Sequence, residues 1–241
     1  MPIYRLAREL IFPDPEDADP SGLLAVGGDL SLRRLLLAYS MGIFPWYTDG
    51  EPILWWSPDP RLILEPASLN ISKSLARTIR KKKFVVTLDR CFEQVIRKCA
   101  SIPRRHEQGT WIIPDIITAY LRLHHAGFAH SVETWEQGAL VGGLYGVSLG
   151  AVFFGESMFS ERPDASKTAL VYLVHMLDAW GIRLIDCQVR TEHLVRMGAR
   201  EIPRTEFLRR LREALRHPTR RGRWSFPDKV ITTAEAPRCT S

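Results

Sequence analysis

Two carboxylates and one amide at the ends of strand-like segments are the residues best placed to do chemistry. Glu156 follows the apolar run 150–154, and Asp186 and Gln188 end a second such run. An amphipathic helix pattern from 164 to 180 lies between the two runs. In a strand–helix–strand unit both strands end at the same edge of the sheet, where α/β folds place their sites. We therefore expect the three side chains to converge, which points to an enzyme, although a structural pair that caps backbone amides would look the same.

A run of positive charge suggests an anionic partner. It consists of Lys73, Arg77, Arg80, Lys81, Lys82 and Lys83, with no acidic residue between its ends. Positions 73, 77, 80 and 81 share one face of a helix. Because uncompensated charge costs self-repulsion, the run favours phosphate contacts, which give affinity without reading sequence. The net charge of +6 agrees with an anionic partner but does not identify it.

The pattern of elements predicts an α+β fold with two domains. Residues 1–62, rich in Pro, Gly and Trp, contain one clear helix capped by Ser31 and form a small N-terminal domain. Residues 63–227 read as antiparallel strands, a long helix and a return strand, an order that matches the acetyltransferase-like (GNAT) core. This core has a mixed, mainly antiparallel sheet flanked by helices. Residues 228–241 are expected to form a mobile tail.

Several element boundaries follow from local signals. A basic helix is expected from 72 to 82, and Asp89 is expected to cap the helix that follows the strand at 84–88. The third antiparallel strand is expected at 151–155, so that Glu156 comes just after its end. Thr191 is predicted to cap a short helix, and Thr205 to open the last one.

Composition excludes several classes of protein. The 241 residues are 45% hydrophobic and 25% charged, which is ordinary for a soluble globular protein. No apolar run approaches the roughly 20 residues that span a bilayer, and the N-terminus lacks a signal-peptide pattern. We expect a cytoplasmic protein with no membrane partner.

The cysteines do not show a metal-binding pattern. Cys91, Cys99, Cys187 and Cys239 form no Cys-x-x-Cys pair and have no zinc-like spacing with the seven histidines. We therefore expect four reduced thiols and no metal. Strand alternation places Cys187 on the face opposite to Asp186 and Gln188, so we expect it to serve packing rather than nucleophilic attack.

Nine short motifs in chain order resemble the leucyl/phenylalanyl-tRNA–protein transferases. They are GLLAVGGDL at 22–30, GIFPW at 42–46, ILWWSPDPR at 53–61, GTWI at 109–112, HSVE at 130–133, LVGGLYG at 140–146, GESMFS at 155–160, DCQ at 186–188 and MGA at 197–199. Nine motifs at family-like spacing make the resemblance specific. It implies a GNAT-like fold for the larger domain.

The resemblance also implies an activity. It is the transfer of leucine or phenylalanine, and less well methionine, from aminoacyl-tRNA to the α-amine of proteins that begin with Arg or Lys. This transfer marks those proteins for N-end-rule degradation. We expect a monomer. We also expect no cofactor, because an aminoacyl ester is already activated and no motif for ATP or metal is present.

The resemblance assigns two groups of residues to the aminoacyl end of the tRNA. An apolar set would line the cavity for the transferred side chain: Leu144, Phe153, Met158, Leu170, Leu173 and Ile185. Family members tend to carry larger residues at 144 and 173, so the preference between leucine and phenylalanine stays open. Trp46 and Trp111 would lie near the 3′-terminal adenosine, where stacking on a base gives roughly 1–3 kcal/mol.

The three polar residues acquire roles from this chemistry. The acceptor α-amine has a pKa of about 7.7–8.0, so a useful fraction is neutral at physiological pH. The enzyme must therefore position the reactants, remove a proton from the amine and stabilise the tetrahedral oxyanion. Asp186 is the candidate for proton acceptance, directly or through its neighbours, and Gln188 would orient the carboxylate or the amine. Glu156 is suited to hold the cationic acceptor side chain or the amine itself.

Two other classes of function remain as alternatives. An acyl-CoA-dependent GNAT enzyme would need a Gly-rich, basic turn before the long helix, but the turn at 159–167 has no glycine and two acidic residues. A non-catalytic tRNA-binding module would not need Glu156, Asp186 and Gln188 in one crevice.

Overall fold

The computed structural model describes residues 3–102 and 110–226. Eleven strands are described: β1 Tyr4–Leu6, β2 Leu23–Gly27, β3 Phe44–Pro45, β4 Leu54–Trp56, β5 Arg61–Leu64, β6 Val85–Leu88, β7 Ala129–Glu136, β8 Ala139–Leu149, β9 Val152–Ser160, β10 Leu184–Gln188 and β11 Arg200–Ile202. Seven α-helices accompany them: α1 Leu32–Ser40, α2 Lys73–Arg80, α3 Phe92–Ser101, α4 Pro114–His125, α5 Ala165–Ala179, α6 Glu192–Arg196 and α7 Arg204–Ala214. The tail expected at 228–241 lies outside the described residues.

The strands form two separate sheets. The N-terminal domain carries a four-stranded sheet in the order β1-β2-β4-β3, and the larger sheet has the order β11-β5-β10-β9-β8-β7-β6. In the larger sheet β9 and β10 pair in parallel, and the other neighbouring strands pair antiparallel. The predicted mixed, mainly antiparallel sheet is confirmed. The predicted boundary at 62/63 falls within β5, which begins at Arg61.

Helices cover both faces of the larger sheet. Leu144 and Phe153 belong to one buried cluster with α5, whereas Tyr145 and Phe154 belong to another with α1, α3 and α4. Consecutive strand residues point to opposite faces, so α5 covers one face, with α2 packed beside it, and α1, α3 and α4 cover the second. Helix α1 of the N-terminal domain packs directly on α4.

Local capping agrees with most of the sequence signals. The hydroxyls of Ser31, Ser72 and Thr191 accept hydrogen bonds from backbone amides in the first turns of α1, α2 and α6. The last helix begins at Arg204, one residue before the predicted start at Thr205.

Three predictions from the sequence were wrong. Asp89 does not cap α3, because its carboxylate binds His130 Nδ1 at 2.8 Å and the amides of Ser131 and Trp224. Strand β9 does not end at Gly155 but continues to Ser160, since it stays paired with β8. The four thiols are not all reduced, because Cys91 is disulfide-bonded, whereas Cys99 and Cys187 are free.

None of the helices within residues 3–102 and 110–226 is long and apolar enough to cross a membrane.

Candidate active site

The site lies where the parallel strands β9 and β10 separate. Their pairing ends at Asp186 opposite Phe154. Beyond this point β9 continues along β8, while β10 leaves the sheet after Gln188. The gap between two diverging parallel strands is the crevice in which α/β folds bind ligands.

A β-bulge aims Glu156 into this gap. Gly155 pairs with Gly146 and Ser157 with Tyr145, so Glu156 is the extra residue of β9. A bulge leaves its extra residue outside the ladder and redirects the side chain. Gly146 is required opposite the bulge, because a Cβ there would lie 2.2 Å from the Phe154 carbonyl oxygen.

Glu156 is buried within a group of hydrogen-bond donors. Its Oε1 accepts from the Tyr39 hydroxyl at 2.8 Å and from Gln188 Nε2 at 3.0 Å, and its Oε2 accepts from the Tyr120 hydroxyl at 2.9 Å. The two tyrosine hydroxyls also contact each other. Burial raises the pKa of Glu156 to about 7, and the three donors oppose this rise only in part. The carboxyl group therefore titrates close to neutral pH.

Asp186 lies behind Gln188 and away from the gap. Arg61 holds it in a bidentate ion pair, with Nε to Oδ1 at 2.8 Å and NH2 to Oδ2 at 2.7 Å. The guanidinium group is stacked between the rings of Phe44 and Phe207, at 4.9 and 4.5 Å from their centroids. Both carboxylate oxygens are thus occupied in a fully buried setting.

Asp186 also fixes the conformation of Gln188. Its Oδ1 accepts the Gln188 backbone amide at 2.9 Å, and Gln188 has a φ of +61°, in the left-handed region. Such a conformation is unfavourable for a residue with a Cβ unless its surroundings hold it in place. A second bulge, with Cys187 as the extra residue, accompanies this turn. Asp186 therefore presents the Gln188 side chain to Glu156.

One cavity of about 460 Å³ opens onto Glu156 and Gln188. The six apolar residues predicted from the sequence all line it: Leu144, Phe153, Met158, Leu170, Leu173 and Ile185. Trp46 and Trp111 line it as well. Asp186 is not among the lining residues, so the structure brings together Glu156 and Gln188 at the cavity and holds Asp186 beneath them.

The family described as leucyl/phenylalanyl-tRNA protein transferase matches residues 63–212, and the N-terminal domain of the same family matches residues 28–59. A leucyl/phenylalanyl-tRNA–protein transferase from Anaeromyxobacter sp. (strain Fw109-5) is 66% identical, covering 94% of this chain and 96% of the relative. This chain belongs to that family. It is an aminoacyltransferase.

More distant similarities were also found. A leucyl/phenylalanyl-tRNA–protein transferase from Desulfatibacillum aliphaticivorans is 58% identical, covering 94% of this chain and 97% of the relative. Among solved structures, L-PGS from Bacillus licheniformis aligns with a TM-score of 0.36 and 13% identity, over 71% of this chain and 57% of that chain. A similarity at that level carries no argument about the fold.

The predicted basic run of the transferase lies on and just after α2. Its six side chains are exposed: Lys73, Arg77, Arg80, Lys81, Lys82 and Lys83. Lys83 lies 3.7 Å from Glu136. Helix α2 is tied to the start of α5 by a hydrogen bond from the Thr78 hydroxyl to Asp164 at 3.0 Å. The basic surface is therefore fixed relative to the helix that supplies Leu170 and Leu173 to the cavity.

The sequence placed Cys187 on the face opposite to Gln188, and this prediction was wrong. The side chain lines the cavity together with Gln188, because the bulge interrupts the alternation of β10. Burial raises the pKa of its thiol, which disfavours a thiolate nucleophile.

Sequence reasoning missed Tyr39, Tyr120 and Arg61 as parts of the site. Both tyrosines lie on the apolar faces of their helices and read as core residues. The signal that would have identified them is the hydroxyl group, since a buried tyrosine needs a hydrogen-bond partner. Residues 3–102 and 110–226 contain no group of three or more His, Cys, Asp or Glu placed to hold a metal ion.

Proposed function

We propose that this aminoacyltransferase moves leucine or phenylalanine, and less well methionine, from aminoacyl-tRNA to the α-amine of proteins that begin with Arg or Lys, marking them for N-end-rule degradation. We also propose that it acts as a cytoplasmic monomer and that its larger domain is GNAT-like. The topology supports the fold proposal, since β8 and β9 are antiparallel and α5 connects β9 to the parallel strand β10.

The proposal is supported most directly by one apolar cavity, which ends at the carboxyl group of Glu156 and the amide of Gln188. The aminoacyl side chain would occupy the part lined by Leu144, Leu170 and Leu173. The 3′ adenosine would stack on Trp46 and Trp111. The ester carbonyl would then lie beside Glu156 and Gln188, and this arrangement is what aminolysis of an aminoacyl ester requires.

The polar residues have different roles in the proposed reaction. Glu156 and Gln188 would contact the reacting groups, because both line the cavity. Asp186 would be a positioning residue that acts through Gln188, since Arg61 and the Gln188 amide occupy its oxygens. Of the two routes considered for Asp186, direct and through its neighbours, this geometry supports the second. Glu156 would bind either the cationic side chain of the acceptor or its α-amine. The Arg, Lys and Ala peptides in the assay below separate these two cases.

The exposed basic residues of α2 would bind the tRNA backbone. Their number and their lack of acidic neighbours within the helix favour phosphate contacts. Acyl-CoA is disfavoured as a donor because the start of α5 carries the carboxylate of Asp164, where a pyrophosphate would be repelled.

A transfer assay tests the proposal. Purified protein is mixed with Leu-tRNA or Phe-tRNA, a chelator and peptides that begin with Arg, Lys or Ala, without ATP. We expect mass spectrometry to show one added residue on the Arg and Lys peptides. A product formed only with acyl-CoA would favour the GNAT alternative, and tRNA binding without a product would favour the non-catalytic module. Equal use of the Ala peptide would exclude Glu156 as the reader of acceptor charge.

A further inference from the structure

The three contacts among Glu156, Tyr39 and Tyr120 form a closed triangle. Tyr39 meets Glu156 Oε1, Tyr120 meets Glu156 Oε2, and the two hydroxyls meet each other. Each hydroxyl has one proton to donate. Two protons can serve only two of the three contacts. A third proton is needed, and the only group in the triangle that can supply it is a protonated carboxyl.

We propose that Glu156 rests protonated in a ring of three hydrogen bonds with Tyr39 and Tyr120. Protonation reverses the Tyr120 contact described above for the carboxylate: the carboxyl now donates from Oε2 to Tyr120. Tyr120 donates to Tyr39, and Tyr39 donates back to Oε1. Gln188 Nε2 donates to the remaining acceptor position on Oε1. Each of the three O–H groups in this ring then donates one hydrogen bond, and Oε1 accepts from both Tyr39 and Gln188.

An ionised Glu156 fits the triangle less well. Both hydroxyls would then point at the carboxylate, and the contact between Tyr39 and Tyr120 would bring two oxygens together without a hydrogen. The groups facing the ring support the neutral form. Asp186 on β10 adds negative charge, which raises the pKa of Glu156 further. Arg61 is already committed to Asp186. The other ionisable groups nearby are the Tyr145 hydroxyl on β8 and the Cys187 thiol on β10, and burial raises the pKa of that thiol.

The ring allows Glu156 to act as proton donor and then proton acceptor in the transfer reaction. This role rests on the proposed function. The neutral acceptor amine attacks the ester carbonyl and forms a C–N bond while giving up one proton. The bond from carbon to the 3′ oxygen breaks, and that oxygen takes one proton. Protonated Glu156 donates its proton to the 3′ oxygen and regains one from the amine. The protons balance, and no co-reactant is needed.

Tyr39 and Tyr120 are positioning residues in this account. Neither lines the cavity, and both are buried. They hold the carboxyl group in place, because Tyr120 accepts the hydrogen bond from Oε2 and Tyr39 donates one to Oε1. Loss of either hydroxyl opens the ring, so loss of the second should add little.

An infrared pH titration of the substrate-free protein tests the resting state. The carbonyl band of a protonated carboxyl is assigned to Glu156 by its absence in Glu156→Gln, because Glu133 is also buried and its pKa is also raised. We expect a Glu156-dependent band at pH 6 that disappears around pH 7. Absence of such a band at pH 6 would overturn the proposal. The titration uses no tRNA, so its result does not depend on whether the proposed transfer occurs.

A double-substitution cycle tests the ring. Tyr39→Phe and Tyr120→Phe should each lower the transfer rate about tenfold, the effect of one hydrogen bond, and the double variant should be within about twofold of either single. If the transfer rate of the double variant fell by the product of the two single losses, the ring would be ruled out. Tyr172→Phe on α5 is the matched control, since Tyr172 packs against Phe226 outside the cavity. Thermal unfolding of all four variants separates loss of folding from loss of transfer.

Discussion

Arg61 and Asp186 form a bidentate ion pair, at 2.8 and 2.7 Å, in which both side chains are almost completely buried. Their strands, β5 and β10, are neighbours in the larger sheet, although the two residues are far apart in the chain. Asp186 in turn holds the left-handed Gln188. The pair therefore connects the stability of the sheet to the geometry of the site.

Asp186→Asn should destabilise the protein by about 3–5 kcal/mol, because it leaves the Arg61 guanidinium buried without a counter-charge. Denaturant unfolding measures this loss. The control is Glu93→Gln, which breaks an exposed i,i+4 pair with Arg97 and should cost less than about 1 kcal/mol. Replacing Arg61 and Asp186 together by leucine should recover part of the stability. Equal costs for Asp186→Asn and Glu93→Gln would mean that the buried pair is not structural.

Glu156→Gln should stabilise the protein relative to wild type as pH rises. The pKa of Glu156 is about 7 in the folded state against an ordinary value of 4.5, so the folded state binds a proton that the unfolded state has released. The stability from this proton is fully present below about 4.5 and is lost as pH rises through 7, a change of roughly 3 kcal/mol. Glutamine is neutral throughout. The difference in unfolding free energy between Glu156→Gln and wild type should be larger at pH 8 than at pH 5. An equal difference at the two pH values would refute the raised pKa.

Replacing Arg77, Arg80 and Lys81 by alanine should weaken the use of aminoacyl-tRNA and flatten its salt dependence. Each lost phosphate contact lowers the slope of log affinity against log salt by about 0.7–0.9. Transfer from a minimal aminoacyl-adenosine should stay nearly unchanged, because that donor has no distant phosphates. The control replaces Arg209, Arg212 and Arg216 on or near α7, which removes the same charge elsewhere. Equal losses with both donors would place the function of α2 in folding.

Leu173→Phe should shift the preference of the cavity from phenylalanine toward leucine. The added ring takes volume from the part of the cavity proposed for the aminoacyl side chain. Steric discrimination in an apolar pocket amounts to about 1–3 kcal/mol, so the ratio of kcat/KM for Phe-tRNA to that for Leu-tRNA should fall at least tenfold. The two donors serve as controls for each other. A parallel fall in both would mean that the substitution disturbs folding and not selectivity.

The sequence predicted those features that local chemistry determines. Ser31 and Thr191 were identified as caps because a cap depends on residues within one turn. The family resemblance, and not local chemistry, supplied the six apolar residues that line the cavity. Their roles in binding stay predictions.

The remainder of the site depends on interactions between distant segments. The bulges at Glu156 and Cys187 leave no trace in hydrophobic periodicity, because they arise from pairing with β8 and β5. Asp89 was predicted as a cap since it stands before α3, yet His130 and Trp224, both distant in sequence, compete for its carboxylate. Arg61 likewise finds its partner only when β5 and β10 pair.

In the proposed reaction Glu156 faces the substrates and exchanges its proton with them, whereas Asp186 acts only through Gln188. The pH dependence of kcat/KM for the acceptor peptide tests it most directly, because this quantity reports the groups of the enzyme before the acceptor binds. Wild type and Asp186→Asn should both lose activity above pH 7 as Glu156 ionises, with Asp186→Asn slower throughout. Glu156→Gln should lack this falling limb and retain only the rise from the acceptor amine. A falling limb that persists in Glu156→Gln and vanishes in Asp186→Asn would contradict the account.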